Sequence, residues 1–505
     1  MTKRSRAVTA RVATARVALA LSLLASVSLG GCSSAPSGEG LSLAAGDIED
    51  DIQLGKSQHP QILQQYNGAY DDPALRAYVD RIGQRLAAVS ELSDIPFTFT
   101  LLDSDVVNAF ALPGGYVYIS RGLLALAQDE AEVAGVIGHE IGHVTSRHGA
   151  ARQTAGMIGG LLGVLATVGG AVLGGEAGAQ LGGQLGNLAV AGGVGQYSQS
   201  QEFQADKLGV RYLARAGYDT EAMGDFLQAL QSNAELQAKL TGTSVSSGGI
   251  DHFFASHPYT PDRVTRARER SEERGAAGEE RDRERFMRAI DGMIFGESPA
   301  QGYVMGRTFA HPLLRFRFSV PEGFKLRNTS SAVFADGDDM LLIFDMARNE
   351  AGLPLTRYKA DKWADMSKTK DLDTVTTRGG ARAAIGHGTV KLKSGSAEAG
   401  FAVIEGDGDT VYRFVLLTKN YGGREAAALR DVVAGFSRLS EAEAAKLEPL
   451  RIDIVEVRPG DTIDGLSARM QVDRLPREQF ETLNGLDRGR TLEAGDLVKI
   501  LVRRR

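Results

Sequence analysis

The tightest constraint on this chain is five residues long: His139-Glu140-Ile141-Gly142-His143, an H-E-x-x-H sequence inside Glu130 to His148. Val133, Ile137, Ile141 and Val144 recur there at helical intervals, so the segment is expected to form a buried helix. On such a helix the i, i+4 spacing puts both imidazoles on one face, a single turn apart, as two ligands of one Zn2+ require. Glu140 then stands beside the metal instead of on it, where it can take a proton from the attacking water and deliver it to the leaving amine. With 8 histidines in 505 residues, a chance occurrence of the pattern is rare.

A catalytic zinc site needs a third protein ligand and an open fourth position. Ser198 to Gly209 offers Glu202 and Asp206, again four apart. One carboxylate can bind the metal while the other orients a ligand imidazole through its second nitrogen.

Lys and Arg (57) nearly balance Asp and Glu (63), for a net charge of -6, which removes any bulk electrostatic reason to expect nucleic acid as a partner. Cys32 is the single cysteine, so neither an intramolecular disulfide nor a Cys-rich zinc module can form. Residues 1–31 read as a signal peptide, with Lys3, Arg4, Arg6, Arg11 and Arg16 before the apolar run from Val17 to Leu29. Leu29-Gly30-Gly31-Cys32 resembles the lipobox of bacterial lipoproteins, which implies that Cys32 carries a lipid. Ser33 in place of Asp points, by the same resemblance, to the outer membrane instead of the inner. Residues 32–46 then form a tether, Gly-, Ser- and Pro-rich at its start.

Residues 47–275 are mainly helical in pattern, with Leu75, Tyr78, Ile82 and Leu86 on one helix face and a strand pair at 97–101 and 116–119, the second strand following the Pro113-Gly114-Gly115 turn. Gln153 to Gly175 is uncharged, but eight of its twenty-three residues are Gly, which favours a hairpin over the active-site helix above a membrane span. Residues 276–301 read as a helical linker after a stretch crowded with charges of both signs. Residues 302–445 alternate like strands, with helices expected at 354–366 and 424–436, so an α+β domain with a binding or scaffolding role is expected. Its His311, His387 and Trp363 are single residues without catalytic spacing. Residues 450–502 carry Val457-Arg458-Pro459-Gly460-Asp461-Thr462, Leu483-Asn484-Gly485-Leu486 and then Gly495-Asp496. These blocks resemble a LysM module, a small βααβ fold, which implies binding of N-acetylglucosamine-containing glycans such as peptidoglycan.

The H-E-x-x-H, the Glu202-to-Asp206 block and Asn108-Ala109-Phe110-Ala111-Leu112-Pro113-Gly114-Gly115 together resemble the gluzincin metallopeptidases of the HtpX, Oma and CAAX-prenyl-protease type, most of all their periplasmic BepA-like lipoprotein members. The resemblance spans about residues 48 to 275. It implies one Zn2+ bound by His139, His143 and Glu202, with Glu140 as general base and Asp206 behind the ligands. It further implies that residues 115 to 119 border the cleft and pair with an extended substrate backbone, making Asn108, Gly115, Tyr116 and Val117 substrate-binding candidates. The block Ser256 to Arg263 resembles the family loop whose histidine caps the zinc in a latent form or stabilises the oxyanion, which assigns His257 to that switch and Arg263 to a supporting place. Gln199 and Gln204 depart from the family's frequent Arg and Glu.

The expected protein is therefore multidomain: a mainly α zincin-like metallopeptidase domain with a small β-sheet, an α+β domain and a βααβ LysM-like domain. The expected function is hydrolysis of unfolded or misassembled envelope proteins in outer-membrane protein assembly and quality control, with the outer-membrane assembly machinery and peptidoglycan as further partners. The rival readings are a non-proteolytic periplasmic chaperone and a peptidoglycan-binding scaffold.

Overall fold

The computed structural model describes residues 47–149, 197–241, 253, 257–258, 261–273, 278–329, 332–358, 372–392 and 395–503. The signal peptide, Cys32 and its tether, the uncharged stretch at 153–175, His252 and Trp363 lie outside the described residues. All described residues fall within one compact unit, Ala44–Arg505.

Helix α1 (Ile48–Gln65) precedes α2 (Pro73–Ala87), which starts where Asp72 accepts a hydrogen bond from the Leu75 N–H and Pro73 supplies a pre-set first turn. Leu75, Val79, Ile82 and Leu86 of α2 face the core, while Tyr78 is half-buried at its margin and gives its hydroxyl to Glu130 at 2.7 Å. Three short strands follow: β1 (Thr98–Leu102), β2 (Ala109–Leu112) and β3 (Tyr116–Ser120). Their order is β1-β3-β2, with β3 parallel to β1 and antiparallel to β2. The β2–β3 turn needs Gly114: its φ is +78°, and a Cβ there would lie 2.4 Å from the Ile52 Cα of α1.

This order corrects one expectation. β3 has a strand on each side, so residues 115 to 119 have no backbone edge to offer an extended substrate. The outer strand on that side is β2.

Helix α3 (Arg121–Leu126) leads into α4 (Glu130–Thr145), capped by Asp129 and buried along its whole length. Helix α5 (Gln199–Ala216) opens with a reciprocal Ser198–Gln201 cap and closes on Gly217 in the left-handed conformation. Helices α6 (Ala222–Thr241) and α7 (Pro261–Glu273) pack around them. Where α4 meets α5, small residues face each other: a Cβ on Gly138 would come within 3.3 Å of Gly209, and one on Gly142 within 3.0 Å of the Ala205 carbonyl oxygen. The missing side chains let the two backbones approach and bring Glu202 and Asp206 within reach of the H-E-x-x-H residues.

Helix α8 (Arg283–Ile290) and β4 (Ile294–Phe295) lead into a β-rich region. It holds a four-stranded sheet running from Tyr303 to Ser319 with Ser437–Arg438 at its edge, and a seven-stranded sheet between Lys325 and Thr418. Helix α9 (Gly423–Gly435), close to the expected 424–436, packs on the same core of Phe316, Phe318, Phe344, Phe414 and Phe436. Of the helix expected at 354–366, the described part is one 3-10 turn, Leu355–Arg357, and residues 359–371 lie outside.

At the C-terminal end, β5 (Leu450–Glu456), α10 (Ile463–Ser467), α11 (Pro476–Leu483) and β6 (Leu497–Arg503) follow in β-α-α-β order. β5 pairs with β6 on one side and with β4 on the other. Ile452, Phe480, Val498 and Leu501 belong to the same apolar cluster as Val133 and Ile137 of α4. Lys499, wholly buried, donates to the Ala125 and Ala127 carbonyls at 2.8 and 2.7 Å, and the Gln128 amide donates to Leu483 O at 2.9 Å. Burial holds the Lys499 amine far below its usual pKa, and the nearby Arg283 charge adds to that. The C-terminal module is thus docked into the core around α4.

Candidate metal centre

Helix α4 presents His139 and His143 one turn apart, and their Nε2 atoms lie 3.0 Å from each other. From α5, Glu202 Oε1 comes to 3.4 Å from His143 Nε2, and Glu202 Oε2 to 3.6 Å from His139 Nε2. The loop before α7 brings His257 Nδ1 to 3.2 Å from His139 Nε2 and 3.1 Å from Glu202 Oε1. Bonds of about 2.0–2.1 Å around a tetrahedral Zn2+ separate its ligand atoms by roughly 3.3–3.4 Å. Edges of 3.0 to 3.6 Å match that size, and the donor set of imidazole nitrogens and a carboxylate oxygen suits the ion. The four residues are buried and their donor atoms lie within 4.8 Å of one another.

Glu140 lies outside this ring of atoms. It is wholly buried, with Oε1 3.5 Å from His257 Nε2. His257 is therefore held between the four-atom cluster and the carboxylate of Glu140, with its ring stacked on Phe253 at 4.6 Å.

Behind the ligands the two histidines are held differently. His139 Nδ1 meets Asp206 Oδ1 at 2.9 Å, and Asp206 is gripped by Arg263 through Nε at 2.9 Å and Nη2 at 2.8 Å. Arg263 also places Nη1 2.7 Å from Glu202 Oε2, so one buried guanidinium serves both carboxylates of α5. His143 Nδ1 instead meets His148 Nδ1 at 2.9 Å, and the Tyr197 ring stacks on His143 at 3.7 Å.

The cluster is strongly polarised. Burial opposes a charged His139 ring, but the Asp206 hydrogen bond and the Glu202 charge outweigh it and hold its pKa up. Burial prevails at His143 and drives its pKa far down. Burial would raise both carboxylates, yet the imidazoles around Glu202 and the Arg263 charge beside Asp206 hold each below its usual range. The site is thus preset to keep its carboxylates ionised, as cation ligation requires.

The structure brings His139, Glu140, His143, Glu202, Asp206, His257 and Arg263 together. It does not bring the substrate-binding candidates to the cleft as a group. Val117 is buried in the core; Gly115 spends its carbonyl on the Thr98 N–H at 2.9 Å; Asn108 is buried, with its amide nitrogen 3.5 Å from the Tyr66 hydroxyl. Tyr116 packs against His59 with ring centres 5.4 Å apart. The cleft at His143 is lined instead by Ala111, Leu112, Pro113 and Gly114, the end of β2 and its turn, together with Arg147 and Tyr197. Tyr197 and His148 were not singled out by sequence reasoning. Tyr197 lies one residue before the cap of α5, and His148 five residues beyond His143, a spacing with no standard meaning for ligands.

Comparison with known proteins agrees with this geometry. Residues 73–271 match the model of peptidase family M48. The beta-barrel assembly-enhancing protease of Yersinia pestis is 34% identical over 203 residues, and that of Escherichia coli K12 is 28% identical over 204 residues, each match covering 40% of this chain and 40% of the relative. The mitochondrial metalloendopeptidase OMA1 of Schizosaccharomyces pombe is 28% identical over 109 residues, 21% of this chain and 32% of the relative. The match thus spans less than half the length of each of these three relatives. The matched segment holds both helices that supply the candidate metal-centre residues, so residues 73–271 resemble a peptidase family M48 domain.

Proposed function

We propose that the chain is a zinc-dependent endopeptidase acting on unfolded or stalled cell-envelope proteins, in outer-membrane protein assembly and quality control. The observation that carries the reading is the convergence of His139 Nε2, His143 Nε2 and Glu202 at tetrahedral edge distances with Glu140 beside them. A Zn2+ held by those three residues would supply the Lewis acid that polarises the scissile carbonyl and acidifies a water. Glu140 takes the proton from the attacking water on its carboxylate and hands it to the departing amine nitrogen. Asp206 keeps the proton of His139 on Nδ1, which leaves Nε2 with its lone pair toward the metal. Arg263 holds Asp206 and Glu202 ionised and in place.

His257 Nδ1 occupies the fourth corner of the cluster, the corner that a catalytic site keeps open. This arrangement supports a latent resting form in which the His257 loop must move before water can enter. Substrate pairs along β2: Ala109–Leu112 is the outer strand, and its end lines the cleft at His143. Such pairing selects unfolded clients, whose backbone groups are available. The names of the relatives support β-barrel outer-membrane proteins as the client class. Lipidation of Cys32 would tether the enzyme to the outer membrane; no described helix is long and apolar enough to cross a membrane. In the C-terminal module the Arg458–Thr462 turn is exposed and Asn484 buried, so of these two motif blocks it is the turn that is available to a glycan.

The test is degradation of an unfolded model protein by the zinc-loaded chain and its Glu140→Gln variant. Turnover should fall by about two to four orders of magnitude while zinc is retained. Should the parent be silent, His257→Ala ought to release activity. Silence in that variant too would defeat the proposal in favour of a binding-only assembly factor.

A further inference from the structure

His148 is buried, five residues past a metal-ligand candidate, and has no place in the chemistry above. Its position follows from how α4 ends. The Arg147 N–H donates to the Val144 carbonyl at 2.9 Å and the His148 N–H to the His143 carbonyl at 3.0 Å, the paired bonds of a Schellman motif. Such a motif needs a left-handed residue, usually Gly or Asn, and here Arg147 takes that place with φ +53°. An Arg147–Asp51 ion pair of 2.8 Å fastens it to α1. The reversal turns the His148 ring back over the last turn, Nδ1 to Nδ1 with His143 at 2.9 Å, while His148 Nε2 lies 3.3 Å from the Gln204 side-chain oxygen on α5.

One set of proton positions satisfies both contacts. Gln204 Oε1 can only accept, so His148 carries its proton on Nε2 and offers a lone pair at Nδ1. His143 then donates from Nδ1, which leaves its Nε2 as the unprotonated atom facing His139 Nε2 and Glu202. We infer that His148, relayed by Gln204, is a positioning residue that sets the tautomer and tilt of His143. The inference rests on the metal-centre reading. It deepens that reading by making the two ligand histidines unequal: His139 is backed by a carboxylate and a guanidinium, His143 by a neutral imidazole and amide.

The test is the Zn2+ dissociation constant of the full chain, read by competition with a chromophoric chelator, with far-UV circular dichroism to confirm folding. His148→Phe keeps a ring of similar size but has no acceptor, and should weaken zinc about 10–100-fold. His148→Asn puts an amide oxygen near the old Nδ1 and should recover most of that loss. A residue that only fills space would give the reverse order, and that order overturns the inference. If His148→Phe does not fold, the exposed Gln204 decides: Gln204→Glu should tighten zinc by supplying a carboxylate to the relay, and an unchanged constant overturns the inference. A parent chain that binds no zinc would instead sink the metal-centre reading itself.

Discussion

Replacing Arg263 by Met tests the electrostatic construction of the site most directly. The guanidinium is fully buried and makes three close contacts with two carboxylates, at 2.9 and 2.8 Å to Asp206 and 2.7 Å to Glu202. Met fills a similar volume but leaves both carboxylates in a dry interior without their cation. Breaking a buried pair from one side costs about 3–5 kcal/mol, because the partner charge stays behind. For a cooperative unit of 150–250 residues each kcal/mol moves the melting temperature by about 2–4 °C, so a fall of roughly 6–20 °C is expected for the metal-free chain. Arg263→Lys keeps the charge but not the planar fork, and should fall between parent and Met variant. Adding Zn2+ should shrink the Met deficit without abolishing it, since the ion compensates Glu202 directly and leaves Asp206 behind the first ring of ligands. Thermal unfolding followed by circular dichroism, with and without zinc, reads all of this. A Met variant within about 1 kcal/mol of the parent would refute the reasoning, since it would mean that Glu202 and Asp206 do not depend on Arg263 for their charge.

The approach of α4 to α5 gives a second prediction. A Cβ at Gly142 would sit 3.0 Å from the Ala205 carbonyl oxygen and 3.1 Å from its Cα, both backbone, so Gly142→Ala should cost about 1–3 kcal/mol and weaken zinc by moving Glu202 away; unchanged metal affinity would show that the helices part without disturbing the ligands. His311, in the β-rich region, is pushed down by burial to a pKa of about 4 from 6.5, and its Nδ1 accepts the Leu314 N–H at 3.3 Å. Because the folded state binds this proton less tightly than the unfolded one, the contribution is full above pH 6.5 and is lost as pH falls toward 4, a drop of about 2–3 kcal/mol. Denaturant melts at pH 7 and pH 5 should show that loss in the parent and a shallower one in His311→Phe; equal slopes would contradict it. Lys499→Ala strips the donor from the Ala125 and Ala127 carbonyls and opens a cavity, and should cost about 2–4 kcal/mol of stability by denaturant unfolding; a change under about 0.5 kcal/mol would mean that the docking does not depend on it.

What was legible in the sequence was whatever is encoded locally. The helix under His139 and His143 shows in the spacing of Val133, Ile137 and Ile141, and the pairing of Glu202 with Asp206 shows in their own i, i+4 interval. Which carboxylate joins the two imidazoles and which lies behind them depends on how α5 crosses α4, and Gly138, Gly142, Ala205 and Gly209 reveal that crossing only once they are seen facing each other. Strand order escaped for the same reason: alternation identifies β3 as a strand, but its two partners come from either side of it in space. His148 was hidden by a helix ending on Arg147, where neither Gly nor Asn advertises the left-handed turn.

The C-terminal module carries the same lesson further, because its motif residues divide between two tasks. Arg458 to Thr462 stay exposed, as a recognition turn would. Asn484 is instead consumed inside the module, donating to the Phe480 and Lys499 carbonyls at 3.0 and 2.9 Å and accepting from the Lys499 N–H at 2.8 Å. That clasp holds the strand from which Lys499 reaches the carbonyls at the end of α3, next to the Asp129 cap of α4. Phe480 and Val498 extend the contact through apolar packing in the cluster that contains α4. A module so placed cannot swing independently of the active-site helix, because its release would expose part of that helix's own core. Any partner that engages the exposed turn is therefore coupled directly to the core around α4, within a single folded body.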